Sequence, residues 1–313
     1  MSPVVVPKQR YRFYDGGDPG DADGSGAEPA DPTTDVLVVL DRKLKTDDRG
    51  RQCEVFLLRR RIAYDDRHCG EIIVPPAYES FESDLVSVPA LFTWLVPQTG
   101  AHLPAALLHD GLVWDRAKES PTYISTEDKD VDRVEADRVF RDAMADTGTG
   151  LVRRWLVWTA VTLATMWSRE ETADRPLVRT YYRWIVAATL VVIGWTGYVA
   201  TADLFDRTDR WWLTYDLPWM GDHSLAWELL TGAAGAVVIP TVIGLLWGRF
   251  RRAGWIFGIG IGVLIHVTIA LLAVTALYTA LEWSAGKLSA FWLRVVALAV
   301  GAAAVVLFVL GLR

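Results

Sequence analysis

The chain predicts a protein in two parts: an α+β soluble N-terminal domain, with a small antiparallel sheet plus helices, followed by an all-α transmembrane bundle of four helices. Three observations carry that reading. Charge is spread unevenly: of 32 Lys and Arg only 8 lie beyond Arg183, and of 38 Asp and Glu only 7 do. The net charge is therefore −7 up to that point and +1 after it, too little ionic surface for a second part exposed to water. That second part also holds four apolar runs of the length a bilayer requires, about 20 residues. The first part instead mixes short β-like runs with helical periodicities, as a folded soluble domain does.

The organisation that follows has four segments. Residues 1–34 form an N-terminal strand and a disordered acidic Gly/Pro segment, residues 35–170 the α+β domain, residues 171–183 a linker and residues 184–313 the membrane domain. Residues 15–34 (DGGDPGDADGSGAEPADPTT) contain no large apolar side chain, so they bury too little surface to offset the entropy of ordering. Two strand-like runs follow, Asp35–Asp41 and Glu54–Ala63, around a charged turn with Asp47, Asp48 and Gly50, which reads as a hairpin. A third strand is expected at Glu71–Val74, ended by Pro75 and Pro76. Helices are expected at Pro89–Leu95, His102–Trp114, Asp130–Asp146 and Leu151–Trp167. In the last of these the uncharged stretch from Trp155 is only 13 residues long, which suits a core or membrane-surface helix better than a span. Arg153 and Arg154 fit a place near anionic headgroups.

The expected spans are about 184–204, 225–247, 255–281 and 288–312. Orientation follows from basic residues in the short connections. Arg179, Arg183, Arg249, Arg251, Arg252 and Arg313 fall on one side, against Arg207, Arg210 and Lys287 on the other. This places the N-terminal domain and the C-terminus in the cytoplasm and the protein in the cytoplasmic membrane. The opening residues agree, because MSPVVVPKQRYRFYD lacks the apolar core of ~7 or more residues that a secretory signal needs. Glycines at four-residue spacing (Gly244 and Gly248; Gly254, Gly258 and Gly262) point to close helix packing and allow self-association through the spans. His266 is the one ionisable residue deep in the third run, without an inverted repeat or paired broken helix to suggest transport. The acidic first part has no Lys/Arg-rich run, which argues against nucleic acid as a partner. Cys53 and Cys69 lack any CxxC pairing and read as inert thiols.

Three stretches carry a family resemblance. Phe81-Glu82-Ser83-Asp84-Leu85-Val86-Ser87-Val88-Pro89 resembles an F-x-[ST]-D-x-x-S-x-P signature. Ala106-Leu107-Leu108-His109-Asp110-Gly111-Leu112 resembles A-x-x-H-D-x-L, and the run from Arg133 to Met144 resembles R-x-x-A-D-x-x-F-x-x-A-M. All three belong, in this order, to the phage-associated family catalogued as domain of unknown function 1353, and the resemblance covers roughly residues 70–170. Members are usually short and soluble, so the appended spans depart from the pattern. Joined to the Ala-, Arg-, Asp- and Val-rich composition, the resemblance implies a membrane protein that accompanies actinobacterial phage-tail-like contractile injection systems.

Asp84, Ser87, His109, Asp110 and Asp137 are the candidate site residues. A His-Asp dipeptide with two distant carboxylates can bind a divalent metal, and a Ser activated by His109 can act as a nucleophile. A structural reading competes with both. Asp84 and Ser87 suit the cap of a helix starting near Pro89, and His109 suits a bond to Asp137 across two packed helices. Adjacent His109 and Asp110 point about 100° apart on a helix, so they do not naturally share one site. No HExxH, GxSxG, P-loop or GxGxxG accompanies them, and no cofactor or metal is expected. The expected function is a non-enzymatic adaptor whose partners are the bilayer and a phage-tail-like assembly. Its rival is a membrane-tethered hydrolase using His109 with Asp84, Asp110 or Asp137.

Overall fold

A cluster of apolar residues next to the N-terminal segment seeds the main sheet. Phe13–Asp15 (β1) is buried at all three positions and pairs antiparallel with Asp31–Asp35 (β2) on one side and Ile62–Asp66 (β5) on the other. β5 turns tightly into Gly70–Val74 (β6), the third strand expected from the sequence, and Ile124–Ser125 (β7) closes the edge in the order β2-β1-β5-β6-β7. The structure is a computed structural model. It describes residues 12–21, 25–46, 50, 52–83, 85, 99–113, 121–167, 176–205, 215–220, 223–287, 295 and 298. The chain divides into two compact units, 1–263 and 264–313.

The expected hairpin exists but is displaced. It joins Leu40–Thr46 (β3) to Gln52–Leu58 (β4), with Leu40 opposite Leu58 and Thr46 opposite Gln52. The strands run further into charged sequence than apolar alternation suggests, because the charges neutralise one another: Arg42 pairs with Glu54, Lys43 with Glu79 and Lys45 with Glu82. The run expected to continue to Ala63 instead breaks at Arg59–Arg61. There the buried Arg61 turns inward, its Nε donating to the Gly16 carbonyl at 2.8 Å and its Nη2 to that of Glu28. The same contacts explain why part of the Gly/Asp/Pro stretch, expected to be disordered, is held in place. Its backbone also bonds Gly16 N to Arg61 O at 2.9 Å and Glu28 N to Asp18 O at 3.0 Å, and it ends in β2. A stretch without apolar side chains is ordered here by hydrogen bonds to a buried guanidinium, a source of order that hydropathy does not register.

Helices Leu103–Leu112 (α1), Arg133–Asp146 (α2) and Leu151–Trp167 (α3) cover the sheet within a residue or three of their expected bounds. Asp132 caps α2, its carboxylate accepting from the Glu135 amide at 2.7 Å. Ile62, Tyr64, Ile72 and Val74 from the sheet form one core with Leu107, Leu108, Val139, Phe140, Met144 and Val157 from the helices. Gly111 lets α1 approach the sheet, since a Cβ at that position would stand 2.5 Å from Val74 Cγ1. Gly111→Ala should therefore be destabilising. Overpacking costs about 1–3 kcal/mol and outweighs the roughly 1 kcal/mol that Ala gains over Gly in a helix. Thermal unfolding of the full-length chain in detergent would read the loss as a midpoint lower by several degrees.

Pro176–Leu204 (α4) and Leu225–Leu245 (α5) are long and apolar enough to cross a membrane. Leu190, Val191, Trp195, Leu230, Val238 and Val242 of these helices are exposed large apolar side chains among the described residues. Among the described residues two helices thus meet the requirements of a span, not the four expected. The third expected span falls on the 37-residue Arg251–Lys287 (α6), much of it undescribed at the level of side chains, His266 included. The fourth span, 288–312, and the short helix expected at Pro89–Leu95 lie outside the described residues. The glycine spacing has the predicted consequence. A Cβ on Gly258 would meet Pro240 at 2.6 Å, and one on Gly244 would meet Trp255 at 2.2 Å, so α5 and α6 touch through their backbones.

α3 belongs to two cores at once. Val157 lies in the core of the sheet domain, whereas Met166, nine residues on, packs with Tyr182, Val186, Trp247 and Phe250 from α4 and the α5–α6 turn. Trp247 is fully buried and donates from Nε1 to Thr189 Oγ1 at 3.1 Å.

Candidate functional site

α1 and α2 cross with their buried faces together, and this brings His109 and Asp137 into contact. Both lie on the apolar stripe of their helix, so the pair forms inside the core. Asp137 is 2% exposed, and its Oδ1 stands 2.9 Å from His109 Nε2. The imidazole also stacks on Phe140, one turn beyond Asp137, with ring centroids 4.7 Å apart. The carboxylate and Phe140 together fix the ring in position and orientation.

Asp110 points elsewhere, as the helical geometry predicts. Its Oδ2 accepts from Ser83 Oγ at 2.5 Å, and Ser83 Oγ in turn accepts from the Leu85 amide at 2.9 Å. Ser83 also exchanges backbone hydrogen bonds with Phe56 on β4, at 2.8 and 2.9 Å. Asp110 thereby ties α1 to the stretch after β6. The structure brings His109 and Asp137 together and leaves Asp110 on a different contact. Asp84 and Ser87 lie outside the described residues. Among the described residues no group of three His, Cys, Asp or Glu side chains is placed to hold a metal ion.

A second buried polar cluster was not anticipated. Asp66, at the β5–β6 turn, accepts from Arg138 Nη2 at 2.7 Å and Nη1 at 3.1 Å, and from the amides of His68 and Cys69 at 2.9 Å each. Arg138 also contacts Glu135 and Asp142, one turn away on either side in α2. Burial by itself would push the Asp66 carboxyl up. The Arg138 guanidinium and the two amides outweigh that penalty and hold it well below the usual carboxylate range. Cys69 sits at the edge of the cluster, its thiol pushed up to about 11 by burial and by the Asp66 and Glu135 carboxylates. A thiol held protonated is a poor nucleophile and a poor metal ligand, so Cys69 serves packing. Two local signals point to this cluster in the sequence: the tight Asp66-Arg67-His68-Cys69-Gly70 turn, and Arg138 three and four residues from two acids.

The two polar sites hold the same helix. α2 is bound to α1 by His109–Asp137 and to the sheet by Asp66–Arg138, and α3 packs behind it. Residues 56–161, about a third of the chain, match the family model described as Protein of unknown function (DUF1353). The match takes in both polar pairs and runs from β4 into α3, so the resemblance carried by the three motifs holds for the α+β domain. No curated protein and no solved structure matches the chain.

Proposed function

We propose that the chain is a membrane-anchored, non-enzymatic adaptor. In this reading the α+β domain recognises a phage-tail-like contractile assembly on the cytoplasmic side. A multi-span anchor, α4 to α6 with the fourth apolar run, holds that assembly at the bilayer, with membrane damage on firing as a further consequence. The observation that supports it best is the double membership of α3. One helix contributes Val157 to the soluble core and Met166 to the packing around α4, so a force applied to the domain passes to the apolar helices through packed side chains. An enzyme tethered only for location has no need of such a coupling, and a flexible linker would serve it. The basic residues at the α4 start and the α5–α6 turn favour the orientation with this end in the cytoplasm.

Affinity purification of the full-length chain from membranes, followed by mass spectrometry, tests the reading. Sheath- or baseplate-type proteins should co-purify from cells that are producing such particles. Their absence under those conditions would overturn docking, and turnover of a lipid or cell-wall substrate by the purified chain would favour the hydrolase instead.

A further inference from the structure

β3 is an edge strand. Its sheet has two strands, and β4 occupies one side of it. In an antiparallel pair, alternate residues aim both backbone groups at the neighbouring strand and those between aim theirs away. Two contacts fix which is which here. Arg59 N donates to Val39 O at 2.9 Å, so Val39, Asp41 and Lys43 turn their backbone groups toward β4. Phe56, opposite Arg42, exchanges its backbone bonds with Ser83 on the far side of β4, which agrees. The N–H and C=O of Leu40, Arg42 and Leu44 therefore point away from β4, and no strand among the described residues meets them. The edge continues backwards into an apolar run. Val36, Val38 and Leu40 pack on the core while Leu37 and Val39 between them are exposed, the period of two of an extended chain. This run has lost its hairpin partner, because the other arm breaks at Arg59–Arg61 and Ile62–Asp66 pairs with β1 and β6 instead. Among the described residues Leu37 and Val38 make no backbone hydrogen bond.

An uncharged, β-branched run with free backbone groups is a template for another strand, and folded proteins cover or charge such edges. The charges around it show what would cover this one. Arg42, Lys43 and Lys45 are each paired with an acid of the same domain. Asp35, at the start of the run, is exposed, and its carboxylate accepts only from the adjoining Val36 amide, at 2.8 Å, among the described residues. A second copy answers this poorly. A two-fold antiparallel pairing that overlaps both apolar runs sets Asp35 opposite Asp41 or Val39 of the other copy, a like charge or an apolar side chain. We infer that the edge from Val36 to Leu44 docks an extended strand of a partner protein, apolar opposite Val36–Val39 and basic where it meets Asp35. Main-chain bonds to Arg42 and Leu44 supply affinity, and Asp35, Leu37 and Val39 supply selectivity. This deepens the adaptor reading above, on which the existence of a partner rests.

Residue-resolved hydrogen exchange of the full-length chain in detergent tests this with a short peptide of alternating Thr and Val carrying Lys at each end. Without peptide, the Arg42 and Leu44 amides should exchange as freely as those of an unpaired chain. With peptide at about ten times its dissociation constant they should slow about tenfold. The same peptide N-methylated at alternate residues should leave them unchanged. Leu44→Pro removes an N–H aimed at the edge without breaking a bond of the fold, and Leu37→Lys charges it; the two positions are 61% and 54% exposed. Each variant should abolish the slowing of Arg42 at an unchanged thermal midpoint. Amides already slow in the chain alone would overturn the inference, whether the chain itself or a second copy, seen as a doubled mass in light scattering, covers the edge. So would an absence of slowing, slowing that N-methylation leaves intact, or equal slowing by a peptide with Glu at its ends. If a variant does not fold, the peptides on wild type decide alone. Co-purification from membranes separates this edge from the adaptor reading. A partner recovered equally by wild type and folded Leu37→Lys removes the edge and leaves the adaptor. Wild type that binds the peptide as expected yet recovers no partner removes the adaptor and leaves a strand-binding edge.

Discussion

Arg138→Met should lower the thermal midpoint of the α+β domain by on the order of 10 °C, through a loss of about 3–5 kcal/mol. The Asp66 side chain is fully buried, and Arg138 supplies its only described positive partner. Removing the guanidinium leaves a buried carboxylate with the His68 and Cys69 amides alone, which is the costly way to break an ion pair. Asp66→Asn is milder, because Arg138 keeps Glu135 and Asp142. The double variant Asp66→Asn/Arg138→Met should be more stable than Arg138→Met alone, since no uncompensated charge remains. Additive losses in that cycle would show that the pair does not act as a unit. Circular dichroism melts of the four full-length proteins in one detergent make the comparison.

The same site sets the response to acid. The folded state holds the Asp66 carboxyl below its unfolded value of about 3.9, so its contribution is fully present above that pH. It is lost as the pH falls from there through the depressed folded value. The difference in midpoint between wild type and Asp66→Asn should therefore be constant from about pH 5 to 7 and shrink below about pH 4.

What the sequence revealed and what it concealed divide along a physical line. α1, α2 and α3 were legible because their apolar residues repeat at helical spacing, and α4 and α5 because a long uncharged run has few alternatives. β3, β4 and the ordered part of residues 16–35 were placed wrongly or not at all. Their order comes from ion pairs across a hairpin and from Arg61 bonding to the Gly16 and Glu28 carbonyls, which depend on partners about 10 to 45 residues away. Of the five candidate residues, the His109–Asp137 pairing could be anticipated because each residue sits on the buried stripe of its helix. The Asp66–Arg138 pair was missed although Arg138 adjoins Asp137. On a helical period its direction differs from that of Asp137, and only the sheet topology shows that the β5–β6 turn lies there. Of the four expected spans, described helices meet two, while the third falls on α6, much of it undescribed at the level of side chains, and the fourth almost wholly outside the described residues.

His109→Ala should be about as damaging as Arg138→Met, for a parallel reason. It leaves Asp137 buried without its described partner, at about 3–5 kcal/mol, and removes a ring contact with Phe140 worth roughly 0.5–1.5 kcal/mol. The informative variant is Asp137→Asn. If the pair holds α1 against α2, the amide oxygen still accepts from His109 Nε2–H, and the midpoint should fall by only about 1 kcal/mol equivalent, with partner recovery from membranes unchanged. If the pair were a catalytic base and its orienting carboxylate, the same change would leave the fold intact yet select the wrong tautomer, a defect that lowers turnover by about 10⁴ in hydrolases built that way. Stability and partner recovery of Asp137→Asn, set beside those of His109→Ala, therefore separate scaffold from chemistry. Adaptor function requires that partner recovery track the folded fraction in both variants, and recovery lost from a fully folded Asp137→Asn protein would contradict it.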